Sequence, residues 1–227
     1  MAQSVLVIAD SGSGKSTAIR DLDPKETFIV NIANKPLPFK GWKKNYIAIS
    51  KDNPKGNMTP VSSAAGIMKA MMHVNDKMPH IKNLVIDDWQ YMSSFEYFDR
   101  ANEKGYDKFT QIAANLAQVA KLPKDMRDDL YIFFLTHSEE STDVNGHRRV
   151  KAKTIGKMID NTLTLEGLFS IVLFGKVVKD KEDKLNYVFE TANNGENTCK
   201  SPDGMFENVR ISNSLKLVKN AIIEYEN

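Results

Sequence analysis

Short apolar runs, each closing on polar residues, recur along the chain: Ser4-Val5-Leu6-Val7-Ile8, Thr27-Phe28-Ile29-Val30-Asn31-Ile32, Asn83-Leu84-Val85-Ile86 and Asp129-Leu130-Tyr131-Ile132-Phe133-Phe134-Leu135. Runs of this length without polar alternation are the pattern of strands buried on both faces. The stretches between them have helical spacing. Ile67, Met68, Met71, Met72 and Val74 predict a helix from a Ser62 or Ser63 cap to about Lys77. Phe109, Ile112, Ala113, Leu116, Val119 and Ala120 predict another over 107–121, separated at Gly105 from a helix over 92–104. Tyr46-Ile47-Ala48-Ile49-Ser50 predicts a further short strand, residues 52–61 a loop, and residues 155–161 a short helix.

The pattern changes towards the C-terminus. A β-rich segment from Gly167 to Val178 is answered by Lys184 to Thr191 across the charged turn 179–183, which predicts an antiparallel hairpin. An amphipathic helix follows from about Ser212 to Tyr225. The expectation is an α/β fold, a mainly parallel sheet sandwiched by helices, with C-terminal antiparallel strands and a terminal helix. The chain reads as a single domain over 1–227, with a core of about 1–178 and the hairpin and helix of about 179–227.

Composition narrows the classes. Hydrophobic residues at 41% and charged residues at 26% are ordinary for a globular chain, and a net charge of +2 gives no global field for polyanions. Any nucleic-acid site is therefore a local patch. Cys199 is the only cysteine, which excludes an internal disulfide and any multi-cysteine zinc site, and points to a reducing, cytoplasmic setting. No apolar run approaches the ~20 residues of a membrane-spanning helix. The chain enters its first strand at once, so no signal peptide and no membrane association are expected.

The chemistry is concentrated directly after the first apolar run. Ala9, Asp10, Ser11, Gly12, Ser13, Gly14, Lys15, Ser16 and Thr17 lead into the helix-compatible Ala18-Ile19-Arg20-Asp21-Leu22. Strand, glycine-rich turn, Gly-Lys-Ser and helix together are the form of a P-loop. Phosphate oxygens need several converging backbone N–H donors, which glycines allow and a helix N-terminus reinforces. Residues Asp10 to Thr17 are the candidate nucleotide cradle, with Lys15 at the β- and γ-phosphates and Ser16 on Mg²⁺. Ala9 stands where the usual pattern has glycine.

Aliphatics ending in acid, Leu84-Val85-Ile86-Asp87-Asp88, have the Walker B form. Asp87 is the candidate for the Mg²⁺ shell. Asp88 either orients the attacking water or caps the following helix. Thr136-His137 at the tip of the next strand either senses the γ-phosphate or is an ordinary polar strand end. The aromatics Trp89, Tyr91, Phe95, Tyr97 and Phe98 are expected mainly in the core. Residues 138–153 predict a loop or hairpin turning at 144–147, with His147, Arg148, Arg149, Lys151 and Lys153 as either a solvated surface or a nucleic-acid contact.

Several segments together carry a family resemblance over most of the chain: residues 9–17, Asn34-Lys35-Pro36-Leu37-Pro38-Phe39, Leu84 to Asp88, Thr136-His137-Ser138, Phe189-Glu190-Thr191 and Lys200-Ser201-Pro202-Asp203-Gly204-Met205-Phe206. They resemble the phage RecA-fold P-loop ATP-binding proteins related to the Sak group of single-strand annealing proteins. The resemblance implies a RecA-like core and an Mg²⁺-dependent ATPase of phage DNA recombination. It also implies single-stranded DNA as partner and a homo-oligomer, ring or filament, in the host cytoplasm, with a single-strand DNA-binding protein as a further partner. RecA-type proteins keep a DNA-facing loop after the sensor strand, where the 147–153 basic residues lie. By the same analogy Lys200, helped by Arg148 or Arg149, is the candidate trans-acting finger, against its reading as an exposed turn lysine. One departure stands out: RecA proteins carry a catalytic glutamate after the second strand, where this chain has Asn31, Asn34 and Lys35. Two alternatives therefore stay open, a small-molecule P-loop kinase and a nucleotide-gated assembly with slow turnover.

Overall fold

Strand β1 (Gln3–Ala9) is the axis of the fold. In the computed structural model, which describes residues 1–142, 146, 148–155 and 164–227 (of Arg148 the backbone alone), β1 pairs in parallel with β5 (Tyr131–Thr142) on one side and β7 (Ile171–Lys179) on the other. Beyond β5 lie β4 (Asn83–Asp87), β2 (Thr27–Asn31) and the edge strand β3 (Met58–Thr59), all parallel. Beyond β7 the sheet turns antiparallel through β8 (Leu185–Glu190) and β9 (Arg210–Ser212). The order among the described residues is β3-β2-β4-β5-β1-β7-β8-β9, with β6 (Arg148–Ala152) antiparallel on the far half of β5. The chain leaves β1 for the outer strands, returns through β4 and β5, and crosses over β1 to β7. That reversal leaves a crevice at the carboxyl ends of β1, β4 and β5.

Strand geometry sends alternate residues to opposite faces, and each face meets its own helices. Leu6, Ile8, Leu84, Ile86, Ile132 and Phe134 pack on α2 (Ala64–Lys77), α3 (Gln90–Asp99) and α4 (Asp107–Lys121), through Ile67, Met71, Met92 and Leu116, with Trp89 just before α3 in the same cluster. Val5, Val7, Val85, Phe133, Leu135 and Leu173 pack on Ala18, Ile19 and the last helix, which is α5 (Leu215–Glu226) after the short α1 (Trp42–Asn45). Each such aliphatic stabilises the fold by about 1.5–3 kcal/mol when fully buried. Ser63 caps α2 by accepting from the Gly66 N–H at 3.2 Å, and Gly105 in the left-handed region separates α3 from α4. Trp89 lies in the core against Phe134, whereas Phe98 is 69% exposed, so the aromatic group divides between interior and surface.

The helix expected after the glycine turn is a short 3-10 helix of six residues, Ser16–Asp21, while the strand expected over 46–50 and the loop expected over 52–61 are corrected. Pro24 disfavours helical backbone before it, and the Asp23 carboxylate closes a local turn by accepting from the Lys25 N–H at 2.9 Å. So short a helix adds little dipole to the turn. Residues 46–50 contribute only an isolated bridge from Ala48 to Met58, and the edge strand forms at Met58–Thr59, within a stretch that reads as loop. The expected helix over 155–161 falls, apart from Ile155, outside the described residues.

The Ala9 departure has a structural counterpart. Ala9 pairs in register with Gly175 of β7, and a Cβ built on Gly175 would lie 2.8 Å from the Ala9 methyl. Space left empty by one glycine is filled by the alanine beside it. Gly175→Ala is expected to destabilise the protein by about 1–3 kcal/mol, since both methyls are fixed to strand backbone. A denaturant midpoint unchanged from wild type would contradict this packing.

Candidate functional site

The turn after β1 closes on itself. The Asp10 carbonyl accepts from the Ser13 N–H at 3.3 Å and the Ser13 hydroxyl at 2.6 Å, while Gly12 and Gly14 hold φ of 79° and 89°. A side chain on Gly14 would meet Tyr187 Cδ1 at 3.0 Å and the Asn213 amide at 3.3 Å, so glycine is needed there for space as well as for φ. Asp10 also accepts a hydrogen bond from Ser138, which ties the turn to β5. Lys15 is only 6% exposed. Its ammonium bends back over the turn and donates to the Ala9 and Asp10 carbonyls, each at 3.2 Å. Burial lowers its pKa, against the attraction of Asp88, Asp87 and Asp10 and with added repulsion from Lys35.

Two strands away, β4 delivers two adjacent carboxylates into unlike surroundings. Asp87 accepts from the Ser16 hydroxyl at 2.8 Å and is almost fully buried. Burial first, then the neighbouring Asp88 charge, push its pKa up to about 6. Asp88 sits at φ 59°, a left-handed conformation that aspartate tolerates. Its Oδ2 pairs with the Lys35 ammonium at 2.5 Å, and its Oδ1 lies 3.5 Å from His137 Nε2. Burial opposes its charge, yet hydrogen bonds from His137 and Lys35 outweigh that and hold its pKa down to about 2. The Asp88 carboxylate thus faces the crevice. The N-terminus of α3 has no side-chain cap, which removes the capping alternative.

β5 runs between β4 and β1 and brings Thr136 and His137 to the same edge. Gln90, which the sequence reading did not single out, organises them: its Oε1 accepts from the His137 N–H at 3.1 Å and the Thr136 hydroxyl at 3.4 Å. The Trp89 N–H donates to the Leu135 carbonyl at 2.9 Å and pins the end of β4 to β5. An amide two residues beyond the acid pair was the available signal for Gln90. Lys35 and Tyr187 were also missed as site residues. Together Gly12, Lys15, Ser16, Lys35, Asp88 and His137 line a cavity of about 390 Å³, with Tyr187 at its rim. That volume is in the usual range of small-ligand sites.

The other candidates lie elsewhere. Lys200 is exposed, and its backbone bridges Val172 through hydrogen bonds of 2.8 and 3.0 Å, away from the cavity. The basic residues lie on the β5–β6 hairpin, in register from Ser138↔Ala152 to Thr142↔Arg148. Arg149 and Lys153 are exposed, whereas Lys151 pairs with Glu139 at 3.1 Å, so part of the positive charge is neutralised within the hairpin. His147 lies outside the described residues.

Among the described residues no group of three or more His, Cys, Asp and Glu side chains is placed to hold a metal ion. Ser16 and Asp87 offer two hard oxygen donors, which suits Mg²⁺, an ion that commonly takes one or two protein ligands and completes its shell with phosphates and water. Among the described residues no helix is long and apolar enough to cross a membrane. No protein-family model matches this chain, and no curated protein does so either.

Proposed function

We propose that this chain binds a nucleoside triphosphate with Mg²⁺ in the cavity beside the 10–17 turn and hydrolyses it. By the family resemblance the nucleotide is ATP, the core is RecA-like, and the work is annealing or strand exchange on single-stranded DNA. The observation that carries the nucleotide reading is the 2.8 Å hydrogen bond from Ser16 to the buried Asp87, formed beside a buried lysine on a glycine turn. In the loaded site Lys15 exchanges the Ala9 and Asp10 carbonyls for the β- and γ-phosphates. Ser16 and Asp87 would hold Mg²⁺, and the ion would supply neutralisation of charge on the phosphate oxygens. Asp88 and His137 stand where a water can be oriented. A carboxylate with a pKa of about 2 is a weak base, which suits orientation by hydrogen bonding rather than proton removal. Phosphoryl transfer through a loose transition state asks for little more.

The DNA half of the reading rests on β5. One 12-residue strand carries His137 at the cavity, with Thr136 buried beside it, and continues into the hairpin that bears Arg149 and Lys153. A shift at the phosphate end therefore has a short, stiff path to the basic end. Lys200, exposed and not part of the cavity lining, is on this reading the residue offered to a neighbouring subunit in a ring or filament. The Lys35–Asp88 pair favours a second reading, a nucleotide-gated assembly with slow turnover, because it occupies the carboxylate nearest the phosphates.

Hydrolysis measured with and without single-stranded DNA at two salt concentrations tests the main reading. Stimulation that weakens with salt is expected. Arg148→Ala together with Arg149→Ala is expected to reduce the log–log salt slope of DNA binding by about 1.4, at ~0.7 per lost phosphate contact on a single strand. Unchanged DNA binding in that variant would remove the hairpin from the interface. A flat, low rate with an oligomer size that depends on nucleotide would favour the gated assembly.

A further inference from the structure

The loop after β2 was marked in the sequence by Lys35-Pro36-Leu37-Pro38, and in the structure it mounts a cation on the cavity. The Asn31 side chain closes the turn that carries it: its amide donates to the Lys35 carbonyl at 2.6 Å, and its Oδ1 accepts from the Lys35 N–H at 3.2 Å. Asn34 completes the turn at φ 50°, a conformation that asparagine accepts at little cost. Pro36 and Pro38 restrict the backbone that follows. The Lys35 ammonium lies over the Tyr91 ring at 5.6 Å and pairs with Asp88. Yet its side chain is 57% exposed, against 4% for Asp88. Lys35 and Pro38 line the same cavity as Lys15, Ser16 and Thr17.

A buried carboxylate on a left-handed backbone has little freedom to move. A half-exposed lysine has several rotatable bonds and an open path into the cavity. The pair is therefore asymmetric: one partner is fixed and the other can leave. Among the described residues two lysines and no arginine line this cavity, and a third phosphate entering it would bring more negative charge than the single carboxylate that Lys35 serves.

Building on the triphosphate reading above, we propose that Lys35 is a second phosphate-facing lysine. It is the counter-ion of Asp88 and transfers to the terminal phosphate when a nucleoside triphosphate binds. The transfer releases Asp88 Oδ2 to accept a hydrogen bond from a water entering with the nucleotide. Lys35 thereby discriminates triphosphate from diphosphate and couples arrival of the third phosphate to readiness of the carboxylate.

The test compares ATP and ADP affinities, each with Mg²⁺, for wild type, Lys35→Met, Asp88→Asn and the double variant, with thermal melting of each. For Lys35→Met a loss of about tenfold in ATP affinity is expected, with ADP affinity within about twofold of wild type, as the loss of one charge-assisted contact to the third phosphate alone requires. Asp88→Asn suits the left-handed backbone and is expected to raise ATP affinity while suppressing hydrolysis. That gain is expected to shrink when Lys35 is also replaced, because the two act through one contact. Equal losses for ATP and ADP, or no loss for either, would overturn the proposal, since Lys35 would then be only a counter-ion. A gain from Asp88→Asn that persists without Lys35 would do the same. Wild type that binds neither nucleotide would instead bring down the triphosphate reading, and this proposal with it.

Discussion

Lys15→Ala is expected to lower nucleoside-triphosphate affinity by about 100-fold or more and to abolish turnover. The lost ammonium makes charge-assisted hydrogen bonds worth about 1.5–3 kcal/mol each, in a site largely closed to water. In the empty protein the same substitution is expected to leave the melting temperature unchanged or raised. Lys15 is buried there with only carbonyl acceptors, and burial disfavours its charged form. Titration with a fluorescent triphosphate analogue and a thermal melt measure both effects. Affinity within threefold of wild type would overturn the phosphate-cradle reading, whatever the melt shows.

Asp87→Asn is expected to separate stability from function even more sharply. Asparagine keeps an oxygen for the Ser16 hydroxyl and removes a charge that the surroundings disfavour. With a folded pKa of about 6 against 3.8 for a free aspartate, the folded state binds the proton more tightly than the unfolded chain does. The cost of ionising Asp87 is therefore complete above pH 6, shrinks as pH falls from 6 towards 4, and is absent below. The variant is expected to be more stable than wild type by up to roughly 3 kcal/mol at pH 7–8, with the difference closing near pH 4. Asp88 has the opposite sign: its lowered pKa contributes stability above about pH 4 that is lost as pH falls towards 2. Denaturant unfolding of both proteins from pH 4 to 8 isolates the Asp87 effect, because Asp88 stays ionised over most of that range. Mg²⁺-dependent nucleotide binding and turnover are expected to be lost in Asp87→Asn at every pH. A variant less stable than wild type at pH 8 would show that Asp87 serves the fold rather than the site.

The two variants share a logic. Lys15 and Asp87 are opposite charges kept under cover without pairing directly, and each is held in a state the empty protein disfavours. On the proposed reading such strain would be relieved by a bound metal–phosphate complex, which would supply the missing partner to both.

Most of the sheet was legible in the sequence, for a simple reason. β1, β2 and β4 are buried on both faces, so each is an unbroken apolar run bounded by polar residues. α2, α4 and α5 are half-buried and announce themselves at helical spacing. The edge strand β3 was hidden because two residues carry no period, and the 3-10 segment after the turn because composition does not separate it from an α-helix. Ala9 looked like a defect in the glycine turn until its neighbour across the sheet was known to be Gly175.

The sequence by itself determined the chemical inventory and the strands that end in it: the glycine turn with Lys15 and Ser16, the acid pair Asp87-Asp88, and Thr136-His137. These are local, since a strand and the residues at its tip are contiguous in the chain. Only the tertiary structure decided which of them meet. Strand order set β5 between β1 and β4, and so put Ser16 on Asp87 and His137 beside Asp88. The fold also turned a proline-bounded loop inward until Lys35 stood against Asp88, giving two adjacent aspartates opposite pKa shifts. Identical side chains one residue apart differ there because burial and charge act through space, and no spacing along the chain encodes those distances.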